Sequence, residues 1–481
     1  MTAPDRPAWR GGGAWRAAAA AAALLLAGTA SAHVPVTGAA LADSASTRSD
    51  AGIVATLWWA QGSDGSGQFG AGGVGDRSLP FRVLVPAGSS VPDGVGLTSI
   101  SVGTTSACAV HDGELSCWGA NDRGQLGDAT SADHQVPATV ADADDPGGSQ
   151  LPAGAVVTDV SVADGFACAV ADGRVYCWGD NTSGQLGNDT WVLSTVPVAV
   201  AVVGTGGSTL PAGTVTDVET GGSGAGAYAC AIAAAQLHCW GSRLHGRLGN
   251  GTDSVAGLPV AGAVIPMWGA SAVTDISLGD ETMCAAAGGL AWCWGWTGFG
   301  QLGNGSGAPG FALTVPTAVE TAPSSALPSS AGVTEVAVGA SSACAVHDGS
   351  AYCWGTNVAG QLGAAIADDT EGGTTVVRRA TAVATAGSGG SELPTGAAVS
   401  GLDAGRGAGP ASTFCVLGDP PAGRSAYCWG DDHAGQIGIG GSPGQLVPRA
   451  LVRQPVSQLP SAAVATAVAV GSATTILVVA P

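Results

Sequence analysis

The chain of 481 residues has no lysine; all 16 basic residues are arginine. This excludes a phosphate-loop lysine, a Schiff-base lysine and a lysine general base. Positive charge is also scarce. There are 36 acidic residues against those 16, and the arginines are scattered. A nucleic-acid surface needs clustered cations that displace counterions, so DNA and RNA are excluded as partners. Aromatic residues make up only 5% of the chain and charged residues 11%. Past residue 27 no apolar run is long enough to span a bilayer. What is plentiful is glycine, at 79 residues, in a chain that is 46% apolar. That balance argues against disorder and for many short strands joined by tight turns.

The first residues form a unit of their own. Arg6, Arg10 and Arg16 precede the apolar run of residues 17–27, and Ala30-Ser31-Ala32 follows it. A basic start, an apolar stretch and small residues at a cleavage position predict an export signal over residues 1–32. Residues 33–50 read as a flexible linker, and 51–481 as one folded body with no transmembrane segment. The expected location is therefore secreted or in the cell envelope.

Within that body the sequence repeats itself. Cys-Trp-Gly recurs with tryptophans at 118, 178, 240, 294, 354 and 429. Each copy is followed by Gly-(Gln/Arg)-(Leu/Ile)-Gly, beginning at Gly124, Gly184, Gly246, Gly300, Gly360 and Gly435. A worn seventh copy reads Trp58-Trp59-Ala60, then Gly67-Gln68-Phe69-Gly70. Each unit holds four strands, shown in the second by residues 157–162, 167–170, 175–178 and 196–200. Strands two and three are joined by Asp112-Gly113, Asp172-Gly173 and Asp348-Gly349, pairs that favour two-residue type I′ hairpins. One four-stranded antiparallel sheet per repeat means an all-β, seven-bladed β-propeller.

The cysteines agree with this register. Counting outward from Asp112-Gly113 places Cys108 opposite Cys117, close enough for a disulfide. The same spacing pairs Cys168 with Cys177, Cys230 with Cys239, Cys284 with Cys293, and Cys344 with Cys353. Cys415 and Cys428 form a sixth pair around a longer turn. Zinc is disfavoured because no Cys-x2-Cys spacing occurs and an exported chain favours disulfides.

The C-terminal residues 468–471 and 475–479 supply strands one and two of a unit, and the N-terminal copy supplies strands three and four. One blade is thus shared between the N- and C-termini, with Ile476 and Trp58 at the two cysteine positions. Closure removes the free sheet edges that invite aggregation.

Residues 172–187, Asp-Gly-Arg-Val-Tyr-Cys-Trp-Gly-Asp-Asn-Thr-Ser-Gly-Gln-Leu-Gly, resemble the regulator-of-chromosome-condensation repeat. The resemblance extends over about residues 51–481 and implies the same propeller. Members of that family often carry histidine two residues before the first cysteine position. Here Ser106, Phe166, Tyr228, Thr282, Ser342 and Thr413 stand there. The namesake is a nuclear exchange factor for a small GTPase that also contacts chromatin. An acidic, exported, disulfide-rich chain does not share that setting, so no exchange-factor residue is carried over.

Other motifs give way to structural readings. Gly65-Ser66-Gly67-Gln68-Phe69-Gly70 fits a dinucleotide fingerprint literally, but it belongs to the repeat and no helix follows. Gly440-Gly441-Ser442-Pro443-Gly444 fits a hydrolase elbow, but Pro443 obstructs the required helix. Leu393-Pro394-Thr395-Gly396 is one residue short of a cell-wall sorting signal and recurs as Leu151-Pro152-Ala153-Gly154 and Leu210-Pro211-Ala212-Gly213, as a blade linker would. Asp142-Ala143-Asp144-Asp145 reads as a solvated loop rather than a calcium site. Asp159, Asp217, Asp275 and Glu335 recur in strand one, where an acidic ring would serve a cation or acid–base chemistry. The preferred reading is that they satisfy neighbouring backbone or lie at a wet strand end. His111 and His347 read as surface turn residues, and the repeated tryptophans as packing between blades.

The informative residues are those that break the repeat. After the third Cys-Trp-Gly the loop becomes Ser242-Arg243-Leu244-His245-Gly246-Arg247, and after the fourth, Trp296-Thr297-Gly298-Phe299. These units are neighbours, so Arg243, His245, Arg247, Trp296 and Phe299 would form one patch rich in binding hot-spot residue types. The expected function is a non-catalytic, monomeric scaffold that holds an extracellular or envelope protein through its loop face, with no cofactor and no metal. The alternative is a cell-wall or polysaccharide binder that stacks sugars on Trp296, Phe299 and Trp268. Less favoured are an enzyme with an acid-lined channel and a guanine-nucleotide exchange factor.

Overall fold

The computed structural model describes residues 46–48, 57–83, 87–92, 95–306, 311–364, 370–371, 374–406, 411–419, 424–440, 444–451 and 464–480. The export signal expected over 1–32 and the Gly441-Ser442-Pro443 part of the elbow-like motif lie outside these residues.

Seven antiparallel sheets make the ring, one for each repeat. Blade 2 is representative, with strands Val157–Val162, Phe166–Ala171, Arg174–Gly179 and Ser194–Ala199. The inner strands of successive blades lie side by side all round the ring, and the last, Val464–Val470, meets blade 1 at Leu97–Val102. The shared blade joins Val464–Val470 and Thr474–Ala480 to Leu57–Gly62 and Arg77–Arg82. Ser46–Arg48 adds a further strand to the inner edge of blade 1.

The hairpins form for the reason the sequence suggested. Asp112 and Gly113 have φ of 50° and 83°, Asp172 and Gly173 49° and 71°, the type I′ signature. That turn sets Cys108 opposite Cys117, and the other five pairs stand opposite each other likewise. All six are disulfides, with Cα–Cα separations of 4.0–4.1 Å. Such a set belongs to an oxidising compartment. Among the described residues no helix is long and apolar enough to cross a membrane.

The innermost strands do not alternate between buried and exposed faces. In Val157–Val162 only Thr158 is exposed, because neighbouring blades pack against both faces. Thr158 is the extra residue of a bulge, and the same irregularity recurs at Thr98, Thr216, Thr274 and Thr334.

Blades are tied to one another at fixed positions. Trp178 Nε1 donates to Gln125 O of the preceding blade at 2.8 Å, and Trp118, Trp240, Trp294, Trp354 and Trp429 do the same at 2.8–3.0 Å. All six rings are fully buried. The glycine that ends each Gly-Gln-Leu-Gly makes room for them. A Cβ on Gly127 would sit 2.8 Å from Trp178 Nε1.

The shared blade corrects one alignment. Ile476 does take the first cysteine position, but it faces Ala60, while Trp58 faces Val478. The counterpart of Cys-Trp-Gly is therefore Ala60-Gln61-Gly62. Gln61 Nε2 donates to Gln436 O at 3.3 Å, where tryptophan serves elsewhere.

A second set of ties runs between inner strands. Asp159 accepts the Val218 N–H at 3.1 Å, Asp275 that of Val336 at 2.7 Å, and Glu335 that of Leu402 at 2.7 Å. Two residues along, Ser101, Ser277 and Asp403 accept the N–H groups of Val162, Val338 and Val470. Three members of the acidic ring, Asp159, Asp275 and Glu335, thus satisfy neighbouring backbone, and Asp403 does the same two residues along.

Candidate binding surface

The loops between third and fourth strands share one side of the ring, and a common framework builds them. Asn181 Oδ1 accepts the Leu186 N–H at 3.0 Å, and Gln185 Oε1 accepts the Ser183 N–H at 2.8 Å. Asn121 with Gln125, and Asn357 with Gln361, repeat the arrangement.

Blade 3 replaces both framework residues. Arg247 stands in the glutamine position and is 2% exposed. Its Nε donates to Leu244 O at 2.7 Å, its Nη1 donates to Gly226 O, and its guanidinium lies 5.3 Å from the Tyr228 ring centroid. It is a structural strut, not part of the surface. Arg243 takes the asparagine position and donates from Nε to Ala256 O at 2.7 Å. His245 sits in the left-handed region at φ 59°. That conformation is tolerated by histidine at some cost. It places the imidazole 4.8 Å from the Trp296 ring and 3.3 Å from the Glu281 carboxylate. Phe299, in blade 4, is 37% exposed.

The patch is thus Arg243, His245, Trp296 and Phe299, and it continues into residues not singled out in the sequence. Thr297 donates from both N and Oγ1 to Phe311 O, which brings Phe311, 66% exposed, beside Trp296. On the other side Val255 is 91% exposed. The Trp191 ring covers Gly257, where an added Cβ would lie 3.1 Å from it. Trp191, Val192 and Leu193 are all exposed. Three consecutive apolar residues just after a Gly-Gln-Leu-Gly motif were the readable signal for this extension.

Other candidates are placed elsewhere. Trp268 is 8% exposed and packs against Trp294 and Trp292, so no sugar can stack on it. His111 and His347 are not surface residues. They are buried, with His111 Nε2 3.1 Å from Ser116 Oγ and His347 Nε2 2.9 Å from Ser330 O. Burial lowers the His111 pKa. Their hairpin turns are covered by the next blade's linker, since Gly113 meets Val156. Burial pushes Glu335 up to about 7, against the opposing N–H groups of Leu402 and Gly401. The Asp142–Asp145 loop binds its own backbone.

The family described as Regulator of chromosome condensation (RCC1) repeat matches residues 112–170, 172–227 and 288–346, and a second form of the repeat matches 157–185. The Ultraviolet-B receptor UVR8 of Arabidopsis thaliana is 26% identical over 310 residues, spanning 63% of this chain and 62% of that protein. The E3 ubiquitin-protein ligase HERC2 of Homo sapiens is 27% identical over 208 residues, 42% of this chain and 4% of that protein. The chain therefore spans less than two thirds of the length of either relative. Among solved structures, human WBSCR16 superposes with a TM-score of 0.67 at 17% identity, covering 88% of this chain and 99% of that one. Prp20p of Saccharomyces cerevisiae gives 0.67 at 18% identity, covering 90% and 92%. In its repeats and in its ring, the chain resembles the regulator of chromosome condensation repeat family.

Proposed function

We propose that the protein is an exported, non-catalytic scaffold that holds another extracellular or envelope protein on the loop face of blades 2–4. The observation that carries this reading is the set of exposed apolar side chains on the loops of neighbouring blades: Trp191, Val192 and Leu193, then Val255, then Phe299 and Phe311, with the half-buried Trp296 among them. Soluble monomers rarely leave such apolar area in one place without a partner. Aromatic and arginine side chains at its centre are the types that dominate binding energy. The six disulfides support export, since they would not persist in a reducing cytosol. The yeast protein Prp20p, of like fold, is described as binding Gsp1p and histones, so a protein partner has precedent on this scaffold. The glycan reading loses one of its three stacking residues with Trp268.

The test is capture on immobilised protein from envelope and culture supernatant, with a Trp296→Ala/Arg243→Ala double variant in parallel. A protein held by the wild type and lost by the variant is the expected result. Equal capture by both would remove this surface from the reading. Retention of wall polymer instead of protein would favour the glycan binder.

A further inference from the structure

The shared blade lacks side chains that fill the same place in other blades. In blade 1, Asn121 Nδ2 donates to Asp128 Oδ1 at 3.1 Å and to Thr130 Oγ1 at 3.2 Å. His134 Nε2 lies 2.8 Å from the other Asp128 oxygen. Blade 2 builds the same cluster from Asn181, Asn188 and Thr190.

The shared blade keeps the frame but not the filling. Asp64 stands where Asn121 stands. Its N–H donates to Asp76 as that of Asn121 does to Asp133, and its Oδ1 accepts the Phe69 N–H at 2.9 Å as Asn121 accepts that of Leu126. The positions of Asp128 and Thr130 are taken by Ala71 and Gly73, and that of His134 by Arg77. The vacated space is a pocket of about 340 Å³, of the size that encloses a small molecule.

Its walls define the chemistry. Phe69 and Phe81 meet edge to face, with centroids 5.2 Å apart, and form an apolar floor. The Arg77 guanidinium lies 5.5 Å from the Phe81 centroid, and Arg82 also lines the pocket. Asp64 lines it too and is 3% exposed. Burial pushes its carboxyl up to about 6, a cost that a cationic group beside it would relieve. In blade 1 this residue is a carboxamide that donates; here it is a carboxylate that accepts. With Asp76 beside the pocket, two carboxylates balance two guanidinium groups. Separated charges of both signs around an apolar floor suit a zwitterion better than a simple anion or cation.

We propose that this pocket binds a free α-amino acid with an apolar side chain, its ammonium on Asp64, its carboxylate toward Arg77 and Arg82, and its side chain on Phe69 and Phe81.

The test is calorimetric titration of the full oxidised chain with L-leucine and L-phenylalanine. N-acetyl-leucine, which lacks the ammonium, and leucinamide, which lacks the carboxylate, serve as probes of each end. Saturable binding of the free amino acids is expected, weakened about tenfold or more by blocking either end. Asp64→Asn should weaken leucine about tenfold while leaving folding intact, because an asparagine already holds the same frame at position 121. A filled variant, Asp64→Asn/Ala71→Asp/Gly73→Thr, rebuilds the blade 1 cluster. A Cβ on Gly73 meets nothing within 4 Å, so this variant should fold and bind nothing. No saturable heat with either amino acid, or equal binding by wild type and filled variant, would overturn the proposal.

Discussion

Replacing Glu335 by glutamine should make the stability of the ring less dependent on pH. Glu335 is 3% exposed, and its carboxylate accepts the Leu402 N–H of the next blade at 2.7 Å. Burial raises its pKa from 4.5 to about 7, despite that N–H, the N–H of Gly401 and the charge of Arg424. The folded value exceeds the unfolded one. The stability linked to this proton is therefore fully present below pH 4.5 and lost as pH rises through 7. Each pH unit in that window costs the wild type about 1.4 kcal/mol relative to a residue that cannot ionise, on the order of 3 kcal/mol in all. Glutamine keeps an oxygen for Leu402 and carries no charge. Its amide N–H2 near Gly401 adds a constant offset that does not vary with pH. The assay is urea unfolding of both proteins at pH 4, 5.5, 7 and 8, under non-reducing conditions. The difference in unfolding free energy should shift toward the variant by about 3 kcal/mol across the range. Asp64 and Asp432, also raised by burial, are common to both proteins and cancel in the difference. A difference that stays flat with pH would refute the reasoning and show that Glu335 is ionised in the fold at little cost.

Replacing Cys230 and Cys239 by alanine removes one hairpin cross-link and should lower stability by about 2–3 kcal/mol in the same assay, the loop-entropy value for a short loop. Trp240→Phe retains a buried ring but strands the Gln185 carbonyl, at a cost of about 1–2 kcal/mol. Trp240→Ala adds a cavity, and about 3–5 kcal/mol is expected; the two variants, compared by denaturation, separate the bond from the packing. His245→Gly relieves a left-handed backbone, so stability should change by less than about 1 kcal/mol. Partner capture should fall all the same, because the imidazole beside Trp296 is gone.

The ring was legible because its evidence is local and repeated. Asp-Gly turns in three units, cysteines nine residues apart in five and a motif tryptophan in six each constrain a hairpin, and the copies agree with one another. The shared blade misled at one point. Trp58-Trp59-Ala60 looks like Cys-Trp-Gly, but the glycine of that motif sits at φ near +100°, and an added Cβ on Gly62 would lie 2.1 Å from Ala473 O. No alanine fits there, and Gly62 stands five residues before Gly67, as Gly119 stands before Gly124. The burial of His111 and His347 was hidden because what covers them is a linker from the next blade. A turn of the right chemistry looks exposed until its neighbour is in place. The apolar band was half legible. Trp296 and Phe299 depart from the repeat visibly, whereas Val255 and Phe311 join them only through the course of the fourth strands.

The departures themselves sort by where their atoms go. What the ring needs is common to every blade, so a position that differs in one blade has been released from that need or has met it by another route. Arg247 took another route: it replaces a glutamine, turns inward and bonds Gly226 O and Leu244 O, so its rarity says nothing about binding. Trp296 stands in the position of Asp180 and His245 in that of Ser183, and their rings, 4.8 Å apart, remain partly exposed. Asp64, Ala71 and Gly73 keep the frame and give up the filling, which leaves a charged, partly apolar space where blades 1 and 2 hold their own side chains. A break in the repeat therefore marks a site only when the substituted atoms, or the room they vacate, face something other than the ring. By that criterion the loop face of blades 2–4 is the surface we propose for another protein, and the shared blade's pocket the place we propose for a small molecule.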